Sequence, residues 1–171
     1  TAGIWAIRET HDSEAIEGLI ERVRRIQKTL KGSLERNIER ARENNTDITD
    51  VIKKDLLSQL LLRQYKYFIT ALGIIGNMQA LDVLIDALKD YYYTIKKKVS
   101  KLAMPEEVII QSGIDIYMDP SIPIVIEVAL SEFGEPAAEA IGKIARSKNE
   151  GLRQSAHNIL ILNKIKGNKG D

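Results

Sequence analysis

Side chains that could carry chemistry are few in this chain, and their spacing does not gather them. His11 and His157 are 146 residues apart, and neither belongs to an H-E-x-x-H or H-x3–5-H pattern. A metal site needs three or four ligands held together, so two lone histidines indicate no metal. The chain has no cysteine, which removes thiolate zinc sites, disulfides and cysteine nucleophiles. No G-x-G-x-x-G or G-x-x-x-x-G-K-S/T run occurs, so the usual phosphate cradles are missing. Ser112-Gly113 and Lys98-Val99-Ser100-Lys101 lack a histidine partner. Glu106 and Glu107 are adjacent, and on a helix they diverge by ~100° instead of forming an acid/base pair. No catalytic, cofactor-binding or metal-ligating residue is therefore assigned and no cofactor is expected. The chain leans away from enzymes.

Two groups of residues are candidates for binding. Arg22, Arg25, Lys28, Arg36 and Arg40 belong to a basic stripe over 22–42. Such a stripe suits an anionic partner, either nucleic acid or the acidic surface of another protein; its plainer reading is a solvated face. Tyr91, Tyr92 and Tyr93 precede Lys96, Lys97 and Lys98, and aromatics beside lysines can stack bases and neutralise phosphates. Three successive tyrosines cover most of a helix circumference, so at least one is expected to reach the surface. Their plainer reading is that they seal the end of a helix pair, with hydroxyls and lysines reaching water.

The 171 residues suit one domain, 1–171, or a short repeat array. With 44% hydrophobic and 29% charged residues the composition is that of a folded protein. No apolar run approaches the ~18 residues of a membrane span, and the start carries no basic n-region of a signal peptide. No membrane role and a cytoplasmic location are expected. The absence of an initiator methionine suggests a trimmed chain or a piece of a longer one. Isoleucine is abundant, 25 of 171, and with no cysteine this hints at a thermophilic or AT-rich source. The net charge of +1 conceals segregation: residues 1–101 carry 18 bases and 14 acids, 102–142 carry eight acids and no base, and 143–171 carry seven bases and two acids. Within a Debye length such blocks act locally, whatever the total.

Helices must position these groups. Leu19, Val23, Ile26, Leu30, Leu34, Ile38 and Ala41 recur at steps of three and four, which predicts a long amphipathic helix over 14–44 with a kink allowed at Gly32. Asp47 is expected to cap a second helix over 48–75. Further helices are predicted over 78–103, 105–112, 121–133, 136–147 and 150–166, with 114–120 as loop. Proline is confined to positions 105, 120, 123 and 136, so the first hundred residues are free to form long helices.

A repeat underlies the pattern. Ala71-Leu72-Gly73-Ile74-Ile75-Gly76-Asn77 and the residues after it align without gaps on the stretch that starts at Ala6. Ala129-Leu130-Ser131-Glu132-Phe133-Gly134-Glu135-Pro136 fits with one deletion, and Leu152-Arg153-Gln154 repeats Leu62-Arg63-Gln64. The unit is a helix, a short turn and an antiparallel helix. Gly76 and Gly134 are expected at the left-handed position that ends the first helix. Asp12, Asn77 and Glu135 are expected as acceptors at the start of the second, with Pro136 in its first turn.

Arg63, the A-L-G-x-I-G-N run from Ala71 to Asn77, and Phe133-Gly134-Glu135-Pro136-Ala137 resemble the HEAT-like repeats of the phycobilisome-lyase type. The matched alanines at 6, 71 and 129 are 65 and 58 residues apart, wider than in ordinary repeats. The expected fold is thus all-α, antiparallel helix pairs stacked as a short, irregular HEAT-like array with extended helices. The resemblance implies a binding scaffold without implying lyase chemistry. The expected function is a protein-interaction scaffold whose partner is another protein. The alternative is a nucleic-acid-binding accessory module using the basic stripe and the Tyr/Lys segment.

Overall fold

The structure, a computed structural model, describes residues 4, 9, 12–46, 50, 51, 55–95 and 121–167. Among these there are helices and turns and no strand. The periodic stripe of the first predicted helix folds as α1 (Ser13–Glu43), about 46 Å long at 1.5 Å per residue. Asp12 starts it by accepting the Ala15 N–H at 3.1 Å. Val23, Ile26, Leu30, Leu34 and Ala41 are buried as the stripe requires, joined by Ile16 and Ile20, and the helix runs unbroken through Gly32.

The second helix corrects the sequence expectation. The structure places α2 at Leu56–Ile75, not 48–75, with Asp55 non-helical at its start. Asp55 accepts the Ser58 N–H at 3.0 Å and the Ser58 hydroxyl at 2.6 Å, and it also accepts the Asn37 amide of α1 at 2.8 Å. An N-cap that also satisfies a buried amide on the neighbouring helix fixes the start there. The expected cap Asp47 lies outside the described residues.

Gly76 ends α2 in the left-handed conformation, φ 66° and ψ 21°, and its N–H returns to the Leu72 carbonyl. Asn77 then caps α3 (Met78–Asp90) through the Gln79 N–H at 2.8 Å. The helix expected over 78–103 changes character after Asp90: Tyr91–Ile95 form a π-helical turn. Residues 96–120, with the predicted helix 105–112 and the loop 114–120, lie outside the described set. The chain is next described in α4 (Ser121–Ser131), two residues shorter than expected. Gly134 has a positive φ of 60° but ψ −136°, so it turns the chain without the expected left-handed helical geometry. Glu135 makes no capping hydrogen bond; Glu135–Ala137 form a 3-10 turn with Pro136 at its start, leading into α5 (Ala138–Ala145). The expected single helix 136–147 is thus a 3-10 turn plus eight α-helical residues. Finally α6 (Glu150–Gly167) closes the described chain.

Packing follows the repeat. α1 lies against α2, α2 against α4, α4 against α6 and α6 against α5, while α3 touches α1, α2 and α4. One core runs through all of them, from Ile16 and Leu72 to Ile126, Ile141 and Ile159. The stack is tight where the aligned motifs meet. A Cβ added to Gly73 would lie 2.6 Å from the Ala129 Cα and 2.7 Å from its Cβ. The glycine of one copy and the small alanine of the next therefore let two backbones touch.

Candidate interaction groove

The arginines of α1 do not form one undivided face. At 100° per residue, Arg22, Arg25, Arg36 and Arg40 share a line with Thr29 and Ser33, at steps of three and four. That line borders α2. Lys28 falls on the outward face of α1, exposed, and Lys31 falls on the far flank, where its ammonium pairs with Asp90 of α3 at 2.5 Å. The acids Glu14, Glu17, Glu21, Glu35 and Glu39 form the ridge between these flanks. Arg22 to Arg40 spans about 27 Å.

Two clefts open along this line. One, of about 460 Å³, is lined by Arg22, Arg25, Thr29, Leu61, Gln64 and Phe68, with Gly18, Glu21 and Ile26. The other, of about 520 Å³, is lined by Ser33, Arg36, Asn37, Arg40, Asp55 and Leu57, with Asn44, Thr46, Asp50 and Val51. The two clefts share no lining residue; as successive stretches of the groove along the α1–α2 seam, they set arginines of α1 against Leu61, Gln64 and Phe68 in one and against Leu57 and Asp55 in the other. The antiparallel register is fixed by Arg22 over the Phe68 ring, 5.9 Å from its centroid, by the Gln27 amide donating to the Tyr65 hydroxyl at 3.2 Å, and by Asn37 to Asp55. Tyr65 is buried beneath the groove, and that burial pushes its hydroxyl well above the ordinary tyrosine range, with the Gln27 hydrogen bond offsetting part of the effect.

Charge in the groove is uneven. Arg36 spends one guanidinium nitrogen on Ser33 at 2.9 Å, and no acid among the described residues forms an ion pair with Arg22, Arg25, Lys28 or Arg40. Helix α2 has no acidic residue at all, only Arg63 and Lys66. Glu21 and Asp50 sit at the rims, and the Asp55 carboxylate is held by Ser58 and Asn37.

The tyrosines lie elsewhere. Tyr91 is buried, and the Tyr92 hydroxyl meets the buried Ser155 of α6 at 3.0 Å. The Tyr92 ring fills the space over Gly151, where a Cβ would collide with it. Burial raises the Tyr92 hydroxyl above its ordinary value, with the Ser155 hydrogen bond acting against it. Tyr93 is 50% exposed and its hydroxyl meets Ser147 at 3.0 Å. It borders a third cleft, of about 420 Å³, between α3 and α5, with Asp82, Lys89 and Lys143. The structure therefore brings Arg22, Arg25, Arg36 and Arg40 onto one line, leaves Lys28 on the outward face of α1, and sets the three tyrosines away from them, with only Tyr93 of the three lining the third cleft. Lys96, Lys97 and Lys98, like His11, lie outside the described residues. His157 is exposed on α6. Among the described residues no three His, Cys, Asp or Glu side chains gather as a metal site, and no helix is long and apolar enough to cross a membrane.

The element that supports the α2 wall is a helix pair closed by Gly76 and Asn77, with Gly73 against the next copy. Residues 66–90 match the PBS lyase HEAT-like repeat. The match takes in the second half of α2, its turn and all of α3, so it spans one helix pair, and it is the family the A-L-G-x-I-G-N run resembles. No curated protein and no solved structure matches the chain. The match ends before α4, and the stacking of α2 on α4 is seen in the contact of Gly73 with Ala129. The groove lies on the opposite flank of that repeat.

Sequence reasoning identified the arginines but not the wall they face. Leu57, Leu61 and Phe68 were legible only as members of an apolar helix. The signal that separates them is the acid-free run from Leu56 to Ile75, which offers the α1 arginines no carboxylate to pair with.

Proposed function

We propose that the chain is a protein-interaction scaffold of HEAT-like type and that the groove between α1 and α2 is its recognition surface. The observation that carries this reading is the pairing of an arginine wall with an exposed apolar wall. Leu57 is 61% exposed and Leu60 56%, and exposed apolar groups rimmed by charge are characteristic of protein contacts. A nucleic-acid surface would use phosphate-binding cations and stacking aromatics on one face, and Tyr93 borders another cleft.

Affinity capture tests the reading. Wild-type chain and an Arg22→Glu/Arg25→Glu/Arg36→Glu/Arg40→Glu variant are compared after nuclease treatment. Proteins retained by the wild type and lost by the variant are expected. Oligonucleotide titrations, single- and double-stranded at two salt concentrations, are the counter-test. Tight binding at low salt that falls steeply with salt, together with captured protein that nuclease strips away, would replace this function with the nucleic-acid one.

A further inference from the structure

The array grows in one way: a helix lies along the flank of its predecessor. α4 lies along α2, with Gly73 on Ala129 and the Lys66 ammonium donating to the Ser121 hydroxyl at 3.1 Å. α6 lies along α4, with the Asn158 amide donating to the Glu127 carboxylate at 3.0 Å. On its other flank α2 is covered by α1, and the outward face between those two neighbours is left open. Leu56, Leu60 and Tyr67 are 66%, 56% and 53% exposed there, at helical steps of four and seven. They continue the apolar wall of the groove formed by Leu57, Leu61 and Phe68. Before α1 the described residues are only Ile4, which is buried in the core, and Glu9 and Asp12.

We infer that this groove seats an amphipathic α-helix of a partner protein, apolar on the side facing α2 and acidic on the side facing α1. This rests on the scaffold reading and adds the occupant. Three features specify it. The arginine edge runs about 27 Å from Arg22 to Arg40, the length of ~18 residues of helix. Its α2 wall offers side chains at the four- and seven-residue spacing that helix-in-groove recognition uses. Its charge is complementary to carboxylates in two places, Arg22 with Arg25 at one end and Arg36 with Arg40 at the other. The midpoints of those pairs are about 22 Å apart along α1. The partner helix thus presents acids in its first and last turns on one flank and leucine-like residues along the adjacent face.

The test uses the full chain and synthetic peptides of about 18 residues. One peptide has a leucine stripe and glutamates at both ends of one flank. A second replaces glutamate by lysine, and a third scrambles the first so that its apolar stripe is lost. Binding is read by fluorescence anisotropy. The acidic amphipathic peptide is expected to bind at least about tenfold tighter than either control. Arg22→Glu/Arg25→Glu and Arg36→Glu/Arg40→Glu are each expected to weaken it by about tenfold and to favour the lysine peptide instead. Leu60→Ser is expected to weaken all helical peptides without changing the charge preference. Arg→Gln versions keep the test open should a charge reversal unfold the chain, which circular dichroism reports. Equal binding of the acidic and lysine peptides overturns the inference, as does acidic binding indifferent to the arginine variants. Self-association through Leu60 in sedimentation, undisturbed by the peptide, also overturns it and makes a second copy the occupant. Should the peptides fail while nuclease-resistant, groove-dependent protein capture persists, only the helical occupant falls. Loss of that capture removes the scaffold reading itself.

Discussion

Replacing Gly73 by alanine isolates the seam between successive repeats. In an exposed helix this change stabilises by about 1 kcal/mol through helix propensity. Here the new methyl would stand 2.6 Å from the Ala129 Cα, 2.7 Å from its Cβ and 3.1 Å from its carbonyl oxygen. Carbon atoms pack at about 3.5–4.0 Å, so α2 and α4 must separate by roughly 1 Å, and the atoms struck are mostly backbone, which cannot swing aside. Overpacking of this kind costs about 1–3 kcal/mol, and backbone contact places it at the upper end. After the propensity gain the net loss is about 2 kcal/mol, or a melting midpoint lower by about 4–8 °C for a chain of this size. Urea denaturation followed by circular dichroism measures it. Ala129→Gly is expected not to rescue the variant, because the nearer Cα remains. Gly18→Ala is the matched control: a Cβ there meets nothing within 4 Å on the exposed face of α1, and it should raise stability by up to about 1 kcal/mol. A Gly73→Ala protein as stable as the wild type, or more so, would refute the close backbone approach.

Asp55→Ala should cost about 2–3 kcal/mol, since it removes the α2 cap and deprives the buried Asn37 amide of an acceptor; Asp55→Asn should recover part of this, read from urea midpoints. Raising the pH tests the buried tyrosines. Folding holds the Tyr65 and Tyr92 hydroxyls above the ordinary value of 10.0, mainly through burial, so their stabilisation is complete below pH 10 and declines as the unfolded chain ionises above it. Unfolding midpoints should therefore fall between about pH 9 and about pH 11, less so in Tyr65→Phe.

The array was legible where local chemistry decides the outcome. Asp12, Asn77 and Gly76 do what their residue types require at a helix start or end, and the Ala71-Leu72-Gly73 motif anticipates the contact with Ala129. What escaped the sequence is decided across helices. Asp47 and Asp55 both precede apolar runs, and Asp55 takes the cap with a partner on α1, Asn37, eighteen residues away. The basic stripe is likewise a property of α1 alone, until α2 on one flank and Asp90 on the other divide it. Glu135 sits at a position suited to capping, but the geometry at Gly134 directs the chain into a 3-10 turn.

The π-helical turn at Tyr91–Ile95 bears on the order in which the chain folds. Helix α3 can form as soon as its own residues are made, because its cap and ladder are local. Its last turn cannot be completed the same way: the Tyr92 and Tyr93 hydroxyls meet Ser155 and Ser147, 63 and 54 residues further on. Closing contacts over such separations is slow relative to helix formation. The turn should therefore be set only after α6 docks. Tyr92→Phe, which leaves Ser155 without its partner, is expected to accelerate unfolding while leaving the folding rate nearly unchanged, a φ-value close to zero. Ser155 of α6 and Ser147 before it would then complete a helix begun more than fifty residues earlier.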